Sequence, residues 1–552
     1  MIKSKLKEIL DGCFEKGVAA KKWGTDGAGK YTVEVPKREG QGDFSTNMAM
    51  VLAGIEKKNP RALAADIQTY LEEDTDFVDH VEIAGPGFVN IFVRRQKWHQ
   101  VVFTVIDSAE TYGRSRVGEG KRVMVEFVSA NPTGPLSIGH GRQAILGDSI
   151  ARLLEKTGHD VFREYYYNDA GRQMRVLGES TKARYREELG LDFTFPEDGY
   201  QGEYIKEIAT ALIKEKGDTL KDCEDIVPFK EKAEQLIFEN ISTTLKRMGI
   251  IFDNYYNEQS LYSEGHIDSV VKELREKGLL YEHDGATWFK TTEFGHEQDR
   301  VIIKSSGEPT YRLPDIAYHR EKFRRNFDWL IDIFGADHIA TVPDVLAGVK
   351  ALGYDESKVQ VLLHQFVTLT RDGKQVKMST RKATFVTVDE LLDLVGEDVA
   401  RFFFMMRKAD SQLEFDLGLA TQQSQENPVY YVQYGHARLS SILRQAEEKN
   451  VIMPDREDMD VSLLVEPEEL VLLKSMAAFP AMIENAALEL APHRVIFYLI
   501  ELAGQFHSYY NKHKVISEDN DLSRARLTLV RALQIVFGNG LRFIGLSAPE
   551  QM

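Results

Sequence analysis

Residues 125–142 read Val-Glu-Phe-Val-Ser-Ala-Asn-Pro-Thr-Gly-Pro-Leu-Ser-Ile-Gly-His-Gly-Arg, and this run decides the fold of the middle of the chain. Val123, Val125 and Phe127 alternate as a strand does, and Pro132, Gly134 and Pro135 punctuate a turn. From Gly139-His140-Gly141 onward, Ile145, Ile150, Leu153 and Leu154 take helical spacing, and Thr157-Gly158 places a glycine as helix C-cap. Strand, glycine turn, helix is a phosphate-binding arrangement. The helix start offers free N–H groups and the positive end of its dipole, and glycines let the main chain approach an anion. A plain βα turn with a chance histidine has the same pattern, so the run gains meaning only from a partner elsewhere.

That partner is Lys377-Met378-Ser379-Thr380-Arg381-Lys382, with Gly373 before it and Phe385-Val386-Thr387 after it. In this order on one chain, the two runs resemble the ATP-handling motifs of class I aminoacyl-tRNA synthetases. Further blocks at 42–47, 85–90, 311–319, 335–338, 427–438 and 548–552 extend the resemblance over nearly the whole chain and narrow it to the arginyl-tRNA synthetase family.

Length and composition agree with a large globular protein. The 552 residues exceed what one core fills, so two to four domains are expected. With 43% hydrophobic and 28% charged residues the chain is well clear of disorder. No apolar run is read as a membrane span, and the N-terminus starts an amphipathic helix without a signal-peptide core. Cys13 and Cys223 have no CxxC spacing, which speaks against structural zinc and for the cytoplasm. The net charge of −17 argues against a nucleic-acid partner for the chain as a whole. After Pro492, however, His493, Arg494, Lys512, Lys514, Arg524, Arg526, Arg531 and Arg542 interleave with Phe497, Tyr498, Phe506, Tyr509 and Tyr510. Such a local basic and aromatic face suits an RNA with unstacked bases.

Three domains are expected in a multidomain α/β protein. Residues 1–112 read as a small α+β domain, with Asp43 or Ser45 capping one helix, Asn59-Pro60 starting another, and strands at 81–83 and 89–93 joined by a turn at 84–88. Residues 113–394 alternate strands and helices, as in a doubly wound parallel sheet (Rossmann-like), with a helical insertion near 178–295. Residues 395–552 read as an all-α bundle in which Pro428, Pro480 and Pro492 mark breaks.

The resemblance implies a reaction and a set of residues. The reaction is ATP-dependent ligation of L-arginine to arginine tRNA through arginyl-adenylate, with ATP as substrate, Mg²⁺ on its phosphates, no zinc and no organic cofactor. His140, Ser137, Lys377 and Ser379 are the implied catalytic residues. Gly139, Gly141, Gly335, Asp337, His338, Met378 and Arg381 would bind ATP. Glu126, Ser129, Asn131, Tyr311, Asp315, Glu258 and His338 would bind arginine, whose planar guanidinium needs carboxylates in fixed geometry. The N-terminal domain would add tRNA contacts, and Tyr434, Arg438, Tyr509, Tyr510 and Met552 would meet the anticodon loop. A monomer is expected, with neither DNA nor membrane as partner. Ser137 stands where the family usually has histidine, and Thr380 where it usually has lysine. These two departures keep open a second reading, a catalytically silent paralogue that binds RNA.

Overall fold

The computed structural model describes residues 2–36, 38, 40–371, 373–376 and 386–552, apart from the His338 side chain. The N-terminal domain contains α1 (Ile2–Ala19), β1 (Val33–Glu34), β2 (Phe44–Thr46), α2 (Met48–Glu56), α3 (Pro60–Glu72), β3 (Val78–Ala84), β4 (Phe88–Val93) and α4 (Arg95–Ser108). Its four strands form an antiparallel sheet in the order β1-β2-β4-β3. Asn59 caps α3 by accepting from the N–H groups of Arg61 and Ala62, with Pro60 in the first turn. Asp43 and Ser45 do not cap a helix. Ser45 lies in β2, and Asp43 accepts the Val93 N–H at 2.7 Å.

The middle of the chain runs through β5 (Arg122–Glu126), α5 (Ile138–Lys156), β6 (Asp160–Tyr167), α6 (Gly171–Glu188), α7 (Glu203–Lys216), α8 (Val227–Arg247) and β7 (Asn254–Asn257). Next come α9 (Gln259–Ser263), α10 (His266–Glu276), β8 (Leu280–His283), β9 (Ala286–Phe289), β10 (Arg300–Ile303), α11 (Arg312–Arg324) and β11 (Trp329–Gly335). Then α12 (Val342–Ala351), β12 (Val359–His364), β13 (Val367–Arg371), β14 (Lys374–Gln375), α13 (Val388–Val395), α14 (Glu397–Phe404), β15 (Leu413–Asp416) and α15 (Leu417–Ala420). Five strands make the expected parallel sheet, in the order β12-β11-β5-β6-β7. β5 is central, so Val123, Met124 and Val125 are all buried and the strand has no solvent face.

The stretch 178–295 is not wholly an insertion, because β7 inside it is the edge strand of the main sheet. The region after 395 is not purely helical, because β15 pairs in parallel with β13.

The bundle consists of α16 (Pro428–Glu448), α17 (Pro467–Leu488), α18 (His493–Lys512) and α19 (Asn520–Phe543). Pro428 and Pro492 stand at helix starts, but Pro480 lies inside α17. Proline frees the carbonyl four residues earlier, and the Tyr112 hydroxyl donates to that carbonyl, Met476 O, at 2.8 Å. By length and composition α17 is also apolar enough to cross a membrane, although no apolar run of the sequence reads as a span. It is a core helix here: it packs on α4 and α18, and its buried Glu469 accepts from Arg526 at 2.9 Å.

Candidate active site

A cavity of about 790 Å³ opens at the C-terminal end of the parallel sheet, where α/β folds hold ligands. The chain leaves β5 through a strained turn, with Val128 and Ser129 at φ 68° and 42°. A β-branched residue seldom adopts this region, and such strain collects at functional sites. The turn lets the Ser129 hydroxyl donate to Glu126 Oε1 at 3.0 Å and accept the Tyr166 N–H at 3.2 Å. Asn131 is fixed likewise: its Oδ1 accepts the Asn168 N–H at 2.9 Å and its amide donates to Gln173 at 3.1 Å.

One end of the cavity is acidic. Asp315, in the first turn of α11, has its carboxyl pushed up to about 7 by burial, against the opposing influence of His319. Burial also raises Glu258, although the Tyr166 hydroxyl and the Asn168 amide both donate to it at 2.8 Å. Neither Asp315 nor Glu258 has an ion-pair partner among the described residues, so this end can take a cation. Beneath it lies a buried ion group that sequence reasoning missed. Lys322 Nζ donates to Glu126 Oε2 at 2.5 Å and to Asp332 Oδ1 at 2.6 Å. His319 bridges from Asp332 Oδ2 (2.8 Å) to the Asp315 carbonyl oxygen (2.7 Å). One lysine cannot fully neutralise two buried acids. Burial therefore leaves Glu126 raised, while Lys322 and His319 hold Asp332 below its ordinary range. Glu126 is thus a buried carboxyl in the floor of the cavity. Tyr311 is 89% exposed at the rim and does not enclose the acidic end.

The other end is built for an anion. Ser137 precedes the first turn of α5, and its N–H and hydroxyl both approach His140 Nδ1, at 3.2 and 3.1 Å. Nδ1 therefore accepts and Nε2 carries the proton. Burial lowers the His140 pKa, so this neutral tautomer prevails and presents a donor to the cavity. Gly139 lines the cavity, and a Cβ there would meet only Ser137 Oγ, at 3.7 Å. Gly141 corrects the expectation of a ligand approach: a Cβ there would press on Val388 Cγ2 at 2.9 Å, so the missing side chain serves packing.

Gly335 and Asp337 line the cavity at the end of β11, while His338 belongs to the Ala336–Ala340 turn, its side chain outside the described set. Lys377, Met378, Ser379, Thr380 and Arg381 also lie outside the described residues. The chain just beyond them is stitched to the first motif, since Val388 N–H donates to Leu136 O at 2.9 Å and Thr387 bridges Ser137. His364, another residue missed from sequence, stands beside Gly335 in register. Burial, together with the nearby Arg142, pushes it down to about 4.

In the bundle, Tyr434 and Arg438 are half-buried and joined by a hydrogen bond from the guanidinium to the hydroxyl. The Arg438 guanidinium also lies 4.4 Å over the Tyr510 ring, and Tyr430 stacks on Tyr434 at 6.0 Å. Met552 is exposed. Tyr509 is corrected: it is fully buried in the bundle core and presents no face for stacking on a base.

Known proteins place this architecture. Residues 1–93 match the arginyl tRNA synthetase N-terminal domain, 102–414 the catalytic domain of class I (R) tRNA synthetases, and 432–552 the DALR anticodon-binding domain. The arginine–tRNA ligase of Desulfotalea psychrophila is 70% identical over the full length of both chains. That of Salinibacter ruber is 48% identical, covering 94% of this chain and 95% of its own. The structure of Thermus thermophilus arginyl-tRNA synthetase superposes with a TM-score of 0.76 at 22% identity, over all of both chains. The chain belongs to the arginyl-tRNA synthetase family, and is an aminoacyl-tRNA synthetase of class I.

Proposed function

We propose that the chain ligates L-arginine to arginine tRNA with ATP, in the two-ended cavity where Asp315 and Glu258, without an ion-pair partner among the described residues, lie across from the start of α5. That juxtaposition carries the reading. The guanidinium pairs with Asp315 and Glu258, and Glu126, Ser129 and Asn131 hold the other end of arginine. The arginine carboxylate attacks the α-phosphorus, the bond to pyrophosphate breaks, and arginyl-adenylate forms. The 2′-hydroxyl of the terminal tRNA adenosine then attacks the arginyl carbonyl, and AMP leaves. No protein nucleophile is required. His140 Nε2–H and the N–H groups of the α5 start donate to phosphate oxygens as charge builds. Gly335, Asp337 and His338 receive the nucleoside, and Lys377, Ser379, Met378 and Arg381 complete the ATP site by resemblance. Mg²⁺ carried in on the ATP phosphates would supply charge neutralisation for the pyrophosphate when bound. The N–H, imidazole and hydroxyl donors at this end fit phosphate oxygens rather than a protein-held ion. Zinc and organic cofactors have no part in this scheme, and the enzyme works as a cytoplasmic monomer.

Ser137 does not retire the site in this reading, because it orients His140 in the donor tautomer. Charging of arginine tRNA with labelled arginine tests the whole: esterified product confirms it, and tRNA binding without charging favours the silent paralogue. Replacing His140 by alanine should lower kcat for adenylate formation by about 10²–10³, the usual cost of one such donor. A loss under about fivefold would remove His140 from that role.

Arginine binding should depend on pH. The guanidinium needs an ionised Asp315, whose carboxyl sits at about 7 in the empty cavity. Affinity should be flat above that value and weaken by up to about tenfold per pH unit below it. Calorimetry from pH 5.5 to 8.5 would show this slope; pH-independent binding would contradict it. In the bundle, Arg438→Ala should raise the KM for tRNA by about tenfold and leave that for arginine alone. Equal effects on both would place Arg438 outside the RNA surface.

A further inference from the structure

One lip of the cavity is made by two helix starts. Tyr311 precedes α11, Thr341, Val342 and Val345 open α12, and all four line the cavity. Arg312 and Asp344 alternate with them along the chain but do not line it, so they lie behind the lip, outside the cavity.

Asp344 is buried there, and three side chains converge on it. Arg312 Nε donates to Oδ2 at 2.6 Å, and Arg300 Nε, from β10, donates to Oδ1 at 3.2 Å. His296 Nδ1 lies 3.2 Å from Oδ1. The carboxylate sits in the first turn of α12, where the helix dipole favours an anion. One carboxylate pins two guanidiniums, so the cluster keeps a net positive charge. Both arginines use only Nε for this. Their Nη groups, the fork that fits a phosphate, make no hydrogen bond among the described residues, and the side chains keep 29% and 28% exposure. An arginine anchored through Nε by a buried anion has already lost most of its rotamer freedom, which lowers the cost of ordering it around a ligand.

The surroundings select the anion. Asp315 and Glu258 make the adjoining end of the cavity acidic, and the chain as a whole carries −17, so an RNA strand entering here meets repulsion except at this pair. The ATP phosphates belong to the start of α5. That helix packs on α14 and α17, whereas α11 packs on α10 and α12, so the two flanks of the cavity are built from different elements. A tRNA end meets both conditions, with its terminal adenosine inside the cavity and its backbone phosphates outside.

We propose that Arg300 and Arg312, pinned by Asp344, bind a backbone phosphate near the 3′ end of the tRNA and hold the strand at the lip while its terminal adenosine reaches into the cavity. This deepens the charging reaction argued above and rests on it.

The test is binding of arginine tRNA by the full chain across a salt series, using Arg300→Gln and Arg312→Gln, with intact tRNA and with tRNA trimmed of its 3′-terminal nucleotides. Each variant should bind intact tRNA about three- to tenfold more weakly, with a salt slope lower by about 0.7. Trimmed tRNA should bind parent and variants alike, because the contacted phosphate is gone. In ATP–pyrophosphate exchange at saturating tRNA, the KM for ATP and for arginine should move less than about twofold. If Arg312→Gln does not fold by circular dichroism, the Arg312→Gln/Asp344→Asn double variant, which removes both charges, takes its place with the same expected loss. Unchanged affinity for intact tRNA, or an equal loss with trimmed tRNA, overturns the proposal. So does a rise in the ATP KM in place of weaker tRNA binding, which would make the anion a phosphate of ATP. No charging by the unmodified chain would instead overturn the functional reading beneath it, and is read separately from binding.

Discussion

Asp315→Asn should abolish useful arginine activation, lowering kcat/KM for arginine by about 10²–10⁴, while making the empty protein more stable. Both effects have one cause. In the empty cavity the carboxyl is buried without a cation, and its pKa sits near 7 because ionisation there is costly. Arginine supplies the missing cation, and removing the carboxylate leaves a buried guanidinium facing a neutral amide, a loss of about 3–5 kcal/mol. The stability effect has a definite sign with pH. An acid whose folded pKa is raised destabilises the fold once ionised, so the cost grows as pH climbs from about 4 to 7 and is constant above. The stabilisation of Asp315→Asn should follow that curve, up to at most about 4 kcal/mol at pH 8. Melting temperatures of both proteins across that range, with and without arginine, check it. A variant that still activates arginine well, or is less stable at pH 8, would show that Asp315 is not the guanidinium's partner.

Lys322→Met should be the most damaging single change away from the ligands. Lys322 is fully buried between Glu126 and Asp332, and its removal leaves Glu126 without a cation and Asp332 with His319 alone. Breaking such a group costs about 3–5 kcal/mol. Protonation can relieve the two acids, so the variant should recover stability as pH falls, opposite to the trend set by an acid whose pKa is depressed. It should also lose arginine binding, because Glu126 and Ser129 are held by the same group. Urea unfolding at pH 6 and pH 8 measures this, and equal stability of variant and parent at pH 8 would contradict it.

The parts of the fold written into local sequence were legible. The start of α5, the Asn59-Pro60 cap and the alternation of strands with helices follow from spacing, punctuation and capping chemistry. The parts set by distant contacts were not. β7 and β15 are four residues each, too short for periodicity to separate them from loops. Pro480 reads as a helix break until Tyr112, far away in sequence, is seen to take the freed carbonyl. Tyr509 reads as part of an aromatic RNA face, yet helical spacing alone cannot tell its buried side from the exposed one. In the site, Asp315 is legible through the block at 311–319. Lys322 could have been found too, since Asp315, His319 and Lys322 recur at the spacing of one helix face. Its partner Glu126 lies on another element and leaves no local trace.

The acidic end of the cavity selects arginine for adenylation in this mechanism. ATP–pyrophosphate exchange across all twenty amino acids, with Mg²⁺ and with and without arginine tRNA, decides whether it does. Exchange is expected with arginine and not with lysine, whose ammonium cannot satisfy a carboxylate pair arranged for a planar guanidinium. Exchange with another amino acid, or none under any condition while tRNA still binds, would contradict it.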